Sequence, residues 1–190
     1  EKELLELRKR LKKSKYTIEV LDFGAGSRRN KQTKRTISSI VRTAEKPRRF
    51  GRLFARLVRW FRPQVVLELG TSLGLTTLYF RKASEDVRVV TLEGCPQTAQ
   101  LARGHFDAHE AADIELIVGN IDKTLPSFLE KEKPKLDMVF FDANHRYEPT
   151  IRYFEQCLPY AHNDSLFIFD DIYWSEEMNQ AWKDIKAHPQ

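Results

Sequence analysis

Hydrophobic residues follow two different patterns on either side of residue 63. Downstream of it, short continuous apolar runs alternate with segments of helical spacing. The apolar runs predict strands at 65–69, 87–92, 114–118, 136–142 and 164–170. The intervening segments predict helices at 74–83, 96–108, 122–131, 148–157 and 175–187. Because continuous apolar strands are typical of parallel sheets covered on both faces, the pattern predicts an α/β fold with a doubly wound, mostly parallel sheet.

Upstream of residue 63, helical spacing dominates. Residues 1–13, a segment from Thr36 and a segment from about Pro47 to Arg62 are predicted as helices. In the third, one apolar stripe is predicted to be the buried face: Phe50, Leu53, Phe54, Leu57, Val58 and Phe61. Residues 16–22 are predicted to be extended. We expect residues 1–62 to form a basic helical extension that packs on a core of residues 63–190.

The sequence Asp22-x-Gly-x-Gly resembles part of a nucleotide-binding turn, but no apolar periodicity follows it. A nucleotide turn would require a helix at that point. The segment is therefore predicted to be a loop, with at most a weak nest for an anion.

Charge is unevenly distributed along the chain. Residues 1–62 contain 20 Lys and Arg against 6 Asp and Glu, a net charge of +14, whereas residues 63–190 contain 12 against 21, a net of −9. The basic segment could attract nucleic acid or an acidic partner, or it could be a solvated face that complements the acidic remainder. The second interpretation is favoured, because no aromatic residues are interleaved with these charges in the manner of RNA-binding motifs.

Composition excludes several classes of protein. No apolar run approaches the roughly 20 residues that cross a bilayer, so no membrane partner is expected. No secretory signal is visible, and Cys95 and Cys157 lie far apart without a C-x-x-C pattern. These features predict a cytoplasmic protein with reduced thiols.

The first core strand runs into a glycine-rich turn with the spacing Glu-x-Gly-x-x-x-Gly-x-Thr, from Glu68 to Thr76. Gly70 permits a tight turn and a close approach of a ligand, and Gly74 lies where the next helix begins. The N-terminus of a helix favours anionic ligands at the carboxyl edge of a parallel sheet. Two interpretations are open, a cofactor-binding loop or an ordinary strand-to-helix turn.

Polar residues also follow the next two strands. Glu93 ends the second strand, 23 residues after Gly70, where an acid can accept hydrogen bonds from ribose hydroxyls. Asn120 and Ile121 follow the third strand, where an adenine ring could lie against Ile121, with Asn120 or Asp122 reaching its polar edge. Asn120 at the start of a helix is equally consistent with an N-cap.

Three carboxylates follow the fourth and fifth strands, namely Asp142, Asp170 and Asp171. Left unpaired, they would repel one another and raise one another's pKa. Oxygen ligands of this kind suit a divalent cation such as Mg²⁺. In the alternative interpretation, Asp142 binds the ammonium group of a ligand and Asp171 caps the following helix.

Taken together, these motifs resemble class I S-adenosylmethionine-dependent methyltransferases, which have a Rossmann-like sheet. Asp142, His145 and the Asp170-Asp171 pair further resemble the catechol-type, metal-dependent O-methyltransferases. The resemblance implies that Asp142, Asp170 and Asp171 hold the metal and that Glu93 binds the ribose. It also implies a set of residues around the methionine moiety of the cofactor: Glu68, Gly70, Ser72, Gly74 and Thr76. Thr71 of the same turn is a further predicted cofactor-binding residue.

Two departures from that family are visible. The catechol-type enzymes use the lysine of Asp-x-x-Lys as general base, whereas this chain has His145 in Asp-x-x-His. Imidazole can accept a proton near neutral pH, so His145 and Asp142 are the predicted catalytic residues. The strand hairpin that closes the family's sheet is not predicted in this chain.

The expected reaction is methyl transfer from S-adenosylmethionine to an oxygen atom of a small molecule. Two alternatives are open: an RNA methyltransferase that uses basic residues 1–62, and a non-catalytic binding module with the same fold. The sequence does not identify the methyl acceptor or the oligomeric state, for which a homodimer is one alternative.

Overall fold

A computed structural model of the protein describes residues 1–21 and 33–189. The helices are α1 (Lys2–Lys13), α2 (Ile37–Thr43), α3 (Arg48–Phe61), α4 (Leu75–Arg81), α5 (Pro96–Ala108), α6 (Ile121–Glu132), α7 (Tyr147–Cys157) and α8 (Glu176–Ala187). The strands are β1 (Thr17–Glu19), β2 (Lys34–Thr36), β3 (Val65–Leu69), β4 (Arg88–Glu93), β5 (Glu115–Val118), β6 (Met138–Phe141) and β7 (Leu166–Phe169). The Asp22-x-Gly-x-Gly segment lies outside the described residues.

The central sheet has five strands in the order β5-β4-β3-β6-β7, and every pair in it is parallel. The chain winds outward from β3 to β5, then returns to the other side of β3 with β6. This reversal places a topological switch point between β3 and β6, which is where doubly wound sheets bind ligands outside their carboxyl ends. The predicted doubly wound fold is confirmed.

Alternate residues of the central strands supply two separate cores. Val66 and Phe140 face a core that includes the apolar stripes of α1 to α5, from Leu4 to Phe106. Leu67 and Phe141 face a second core with α6, α7 and α8. Helices α1, α2 and α3 share the first core with the sheet. A domain boundary at residue 62 stays a prediction.

The predicted burial of α3 is partly wrong. Phe54 and Val58 are buried, and Phe54 packs against Phe80 and Phe140 at ring-centroid distances of 5.4 and 4.9 Å. Leu53 and Phe61, however, are 43% and 48% exposed. The helix faces the sheet through Gly51, Phe54, Ala55 and Val58, so its buried arc is rotated away from the centre of its apolar stripe.

A short antiparallel ladder lies outside the main sheet, with Ile18 of β1 paired to Arg35 of β2. This confirms part of the extended segment predicted at 16–22. Among the described residues, no helix combines the length and apolar character needed to cross a bilayer.

Candidate active site

A cavity of about 260 Å³ lies at the carboxyl edge of the sheet. Residues that follow all five strands line it, together with the segment that contains Ile40 and Lys46. The predicted site residues among its lining are Gly70, Ser72, Glu93, Asn120, Ile121, Asp142, His145 and Asp171. The parallel topology therefore brings together residues that are up to about 100 positions apart in the chain.

The turn after β3 approaches β6 closely. Gly70 has φ of 101°, and a methyl group added there would collide with the carbonyl oxygen of Asp142. The backbone N–H of Asp142 donates to the Leu69 carbonyl at 2.9 Å, which holds the two strand ends together. Only glycine tolerates both this positive φ and so close an approach of another backbone, so Gly70 allows the ends of β3 and β6 to meet at the cavity.

Glu93, at the end of the neighbouring strand β4, holds the same turn in place through hydrogen bonds. Its Oε2 accepts from the Ser72 N–H at 2.8 Å, and its Oε1 accepts from the Cys95 N–H at 2.9 Å. Burial raises the pKa of Glu93, and these two backbone hydrogen bonds oppose the shift. Each carboxylate oxygen keeps a further lone pair with which it can accept a hydroxyl.

Four of the predicted cofactor residues do not line the cavity, namely Glu68, Thr71, Gly74 and Thr76. Glu68 is fully buried, and its Oε2 accepts from the hydroxyls of Thr77 and Thr91 at 2.5 and 2.7 Å. Burial raises the pKa of Glu68 to about 8. These contacts give Glu68 a structural role inside the fold.

Asn120 lines the cavity and also caps α6, because its side-chain oxygen accepts from the Asp122 N–H at 3.0 Å. Asp122 is engaged elsewhere, since its Oδ1 accepts from the Tyr153 hydroxyl and from Arg152, both at 2.6 Å. Ile121 provides an apolar wall beside Asn120.

The carboxylates that follow β6 and β7, namely Asp142, Asp170 and Asp171, form an acidic centre at that end of the cavity. The Nε2 atom of His145 lies 3.6 Å from Asp142 Oδ1 and 3.8 Å from Asp171 Oδ2. One potential metal-ligand atom each of Asp142, His145 and Asp171, a carboxylate oxygen or an imidazole nitrogen, lies within 4.8 Å of the other two. Asp170 lies outside this group and has a different partner, which it shares with Asp142.

That partner is Lys46, which sequence reasoning missed. Its Nζ lies 3.0 Å from Asp142 Oδ1 and donates to Asp170 Oδ2. Burial lowers the pKa of Lys46, but the two carboxylates outweigh this effect and raise it above its ordinary value. Lys46 therefore stays charged. Burial also raises the pKa of Asp142 well above its ordinary value, and Lys46 opposes that shift.

The residue before Lys46 was also missed. Glu45 is 8% exposed, and its Oε1 accepts from the Leu73 N–H in the turn after β3 at 2.7 Å. Burial raises the pKa of Glu45. In the segment before α3, Glu45 thus contacts the turn after β3, and Lys46 contacts the carboxylates that follow β6 and β7.

Several cavity residues have left-handed backbone conformations that are costly for residues other than glycine. These residues are Ser72 with φ of 50°, Asn144 with 68°, His145 with 52° and Asp171 with 53°. Such outliers concentrate at functional sites, because the surrounding structure must hold them in place. Here they direct the loops after β3, β6 and β7 towards one cavity.

The aromatic residues near the site have different surroundings. Trp174 lines the cavity, whereas Tyr173 is 78% exposed. The Tyr147 hydroxyl donates to Asp184 Oδ2 at 2.8 Å. Trp174, together with Tyr153, therefore provides an aromatic surface for a planar ligand.

Comparison with known proteins decides the family. A model of the methyltransferase-domain family matches residues 67–172, which is more than half of the chain and includes most of the cavity lining. The chain belongs to the class I S-adenosylmethionine-dependent methyltransferases.

Curated relatives of this methyltransferase include two bacterial catechol O-methyltransferases. That of Niastella koreensis is 27% identical over 64% of this chain and 55% of its own length. That of Mycobacterium tuberculosis is 31% identical over 64% of this chain and 54% of its own length. The chain thus spans about half the length of the curated relatives that it matches.

Solved structures of similar methyltransferases share the fold. The O-methyltransferase of Bacillus cereus in complex with S-adenosylhomocysteine superposes with a TM-score of 0.70 at 23% identity, over 77% of this chain and 72% of that one. TomG of Streptomyces achromogenes, in complex with S-adenosylmethionine, has a TM-score of 0.64 at 26% identity, over 78% and 64% of the two chains.

Proposed function

We propose that this methyltransferase transfers the methyl group of S-adenosylmethionine to a hydroxyl oxygen of a small molecule. The observation that carries the proposal is the joining of two sets of groups in one cavity. Glu93, Ser72 and Gly70 lie beside β3 and β4, and His145, Asp142 and Asp171 follow β6 and β7. A donor and an acceptor held in these two halves would meet at the switch point, so most of the rate enhancement would come from alignment.

The half beside β3 and β4 suits the methyl donor. Glu93 has lone pairs for the ribose hydroxyls, and Ile121 and Asn120 offer an apolar wall with a polar edge for the adenine. Ser72 and Gly70 would lie beside the methionine moiety, with Thr71, Gly74, Thr76 and Glu68 shaping the turn from inside. Because the cavity is open, side chains do not block the proposed cofactor site, which favours a ligand-binding role.

The half beyond β6 suits a hydroxyl-bearing acceptor. His145 would accept the proton of the hydroxyl as the oxygen bonds to the methyl carbon, while the bond from that carbon to the sulfonium sulfur breaks and S-adenosylhomocysteine leaves. Asp142, with its Oδ1 3.6 Å from His145 Nε2, would stabilise the imidazolium that forms. The catechol O-methyltransferases among the relatives favour a catechol-type diol as acceptor.

The acidic centre also suits a divalent cation such as Mg²⁺. Three carboxylates and the single ammonium of Lys46 leave a formal charge of −2, which such a cation would balance. Asp142 and Asp171 would hold it through oxygen, and Asp170 would join them if Lys46 released it. A bound cation would lower the pKa of an acceptor hydroxyl.

The experiment that tests this proposal follows labelled methyl groups from S-adenosylmethionine to a panel of catechols, monophenols and RNA oligonucleotides. We expect transfer to a catechol hydroxyl. Replacement of His145 by Ala should lower kcat about 100-fold or more, because general bases contribute on this scale. His109→Gln, outside the cavity, is the matched control and should retain activity.

A chelator arm in the same assay tests the cation. Loss of transfer after chelation, with recovery on addition of Mg²⁺, is the expected result. Transfer that is indifferent to the chelator would remove the cation from the proposal. Methylation of RNA alone would instead replace the acceptor class, and it would favour the basic segment 1–62 as the binding surface.

A further inference from the structure

Helix α3 presents three different arcs around its axis, because successive residues turn by about 100°. The first arc is buried and contains Gly51, Phe54, Ala55 and Val58. Gly51 lies against the ring of Tyr79 in α4. This arc carries most of the packing of α3 on the protein, and the neighbouring Phe50 and Leu57 pack partly against the same core. The exposed residues of the other two arcs need a different explanation.

The second arc is apolar and faces outward. Trp60 is 82% exposed, Phe61 48% and Leu53 43%, and the half-buried Phe50 and Leu57 lie between them on the same side. Exposed large apolar residues that are scattered singly need no explanation. Here three of the seven such residues in the described chain fall within one stretch of nine positions.

The third arc is cationic. Arg48, Arg49, Arg52, Arg56 and Arg59 follow one another around the helix, directly beside the apolar arc. The helix contains no Asp or Glu. Glu1 pairs with Arg48 at 2.7 Å and with Arg52 at 3.7 Å, whereas within the described ranges Arg56 and Arg59 form no ion pair. Most of this positive charge is therefore directed to the solvent.

From these arcs we propose that α3 docks on the surface of an anionic phospholipid membrane. A helix that lies in the plane of a membrane has this composition, with aromatic and aliphatic residues entering the interface and basic residues contacting the headgroups. Tryptophan is enriched at such interfaces because one end of its ring system is polar. The proposal differs from the sequence expectation of no membrane partner, which considered only segments long enough to span a bilayer.

Charge complementarity distinguishes this partner from the alternatives. A second copy of the chain docked through the same face would oppose two arginine arcs, which would repel. A nucleic acid would pair with the arginines but would leave the adjoining apolar arc of Leu53, Phe61 and Trp60 without a partner. An anionic lipid surface satisfies both arcs at once.

Sedimentation of the full chain with vesicles tests the proposal. Vesicles of phosphatidylcholine with about 30% phosphatidylserine should bind the protein, and vesicles of phosphatidylcholine alone should not. The double variant Arg56→Ala/Arg59→Ala should weaken binding about 25-fold, since each interfacial basic residue contributes about fivefold. Trp60→Ala should weaken binding about tenfold or more, because a large apolar side chain no longer leaves water. The matched control is Lys131→Ala/Lys183→Ala, which removes two exposed charges from α6 and α8 on the opposite layer.

Fluorescence provides a second readout that does not depend on charge. A blue shift of tryptophan emission on adding anionic vesicles, absent from Trp60→Ala, is expected because Trp60 would leave water. Equal binding to neutral vesicles, or equal loss in the control variant, would overturn the proposal. So would a concentration-dependent dimer that Trp60→Ala abolishes, or a preference for RNA over vesicles.

Discussion

Lys46 and its two carboxylate partners define the acidic centre at the scale of single residues. The sequence predicts that Asp142, Asp170 and Asp171 converge, with either a metal ion or a ligand ammonium group as the partner of Asp142. The cation that the structure places between Asp142 and Asp170 comes from the chain itself. No local pattern around Lys46 indicates this contact, because it joins residues 124 positions apart. The sequence thus predicts that these carboxylates need a positive partner, but it does not indicate that the Lys46 ammonium is that partner.

Removing Lys46 should therefore be costly. In Lys46→Met two poorly exposed carboxylates lose their counter-ion, and the free energy of unfolding should fall by about 3 kcal/mol. Urea unfolding measures the change. Lys46→Met/Asp170→Asn should recover part of the loss, and Lys183→Met on the exposed face of α8 serves as a neutral control. An unfolding free energy equal to that of the wild type would show that the ion pairs do not contribute.

Glu68 predicts a dependence of stability on pH. Its folded pKa of about 8 lies above the ordinary value of 4.5 that it has when unfolded. The stability that it contributes is thus fully present below about pH 4.5 and is lost as the pH rises through about 8. Relative to Glu68→Gln, the wild type should lose on the order of a few kcal/mol between pH 5 and 8.5. Urea unfolding at both pH values tests this, with Glu85→Gln on the surface as control. Parallel pH profiles for wild type and Glu68→Gln would contradict the assignment.

Apolar patterning predicted the individual helices and strands well. Helix α5 has the predicted bounds of 96–108, and each predicted strand contains or overlaps the observed one. Periodicity works here because each element packs on one well-defined layer. It failed for α3, since an apolar stripe shows which side of a helix is hydrophobic but not how many neighbours cover it. Leu53 and Phe61 are exposed for that reason.

The turn between β3 and α4 is the element on which the site depends most. Gly70→Ala should force the backbone away from Asp142, both because of the positive φ and because of the collision with its carbonyl oxygen. We expect a loss of at least about 2 kcal/mol of stability and weaker cofactor binding. Gly104→Ala in α5 is the matched control, because a methyl group there meets no atom within 4 Å. It should stabilise the helix by up to about 1 kcal/mol. Equal effects of the two substitutions would contradict a special role of Gly70.

At the scale of the whole molecule, two layers of helices enclose a parallel sheet, and every part of the site lies at one edge of it. Of the residues that sequence reasoning assigned to the cofactor, those placed at strand ends line the cavity, as Glu93 and Asn120 show. Glu68 within β3 and Thr71 in the turn are instead packed within the fold, although Gly70 and Ser72 of the same turn line the cavity. Motif spacing locates a turn along the chain, but it does not determine which side chains of that turn face the ligand.

The central claim is that the half of the cavity beside β3 and β4 binds the methyl donor. Calorimetric titration of the folded full chain with S-adenosylhomocysteine tests it most directly. The predicted result is saturable binding of one ligand per chain, weakened at least about tenfold in Glu93→Ala because the ribose loses its acceptor. Asp164→Ala, on the surface at the opposite end of β7, should bind as the wild type does. Absence of binding, or equal affinity in the wild type and Glu93→Ala, would contradict the account.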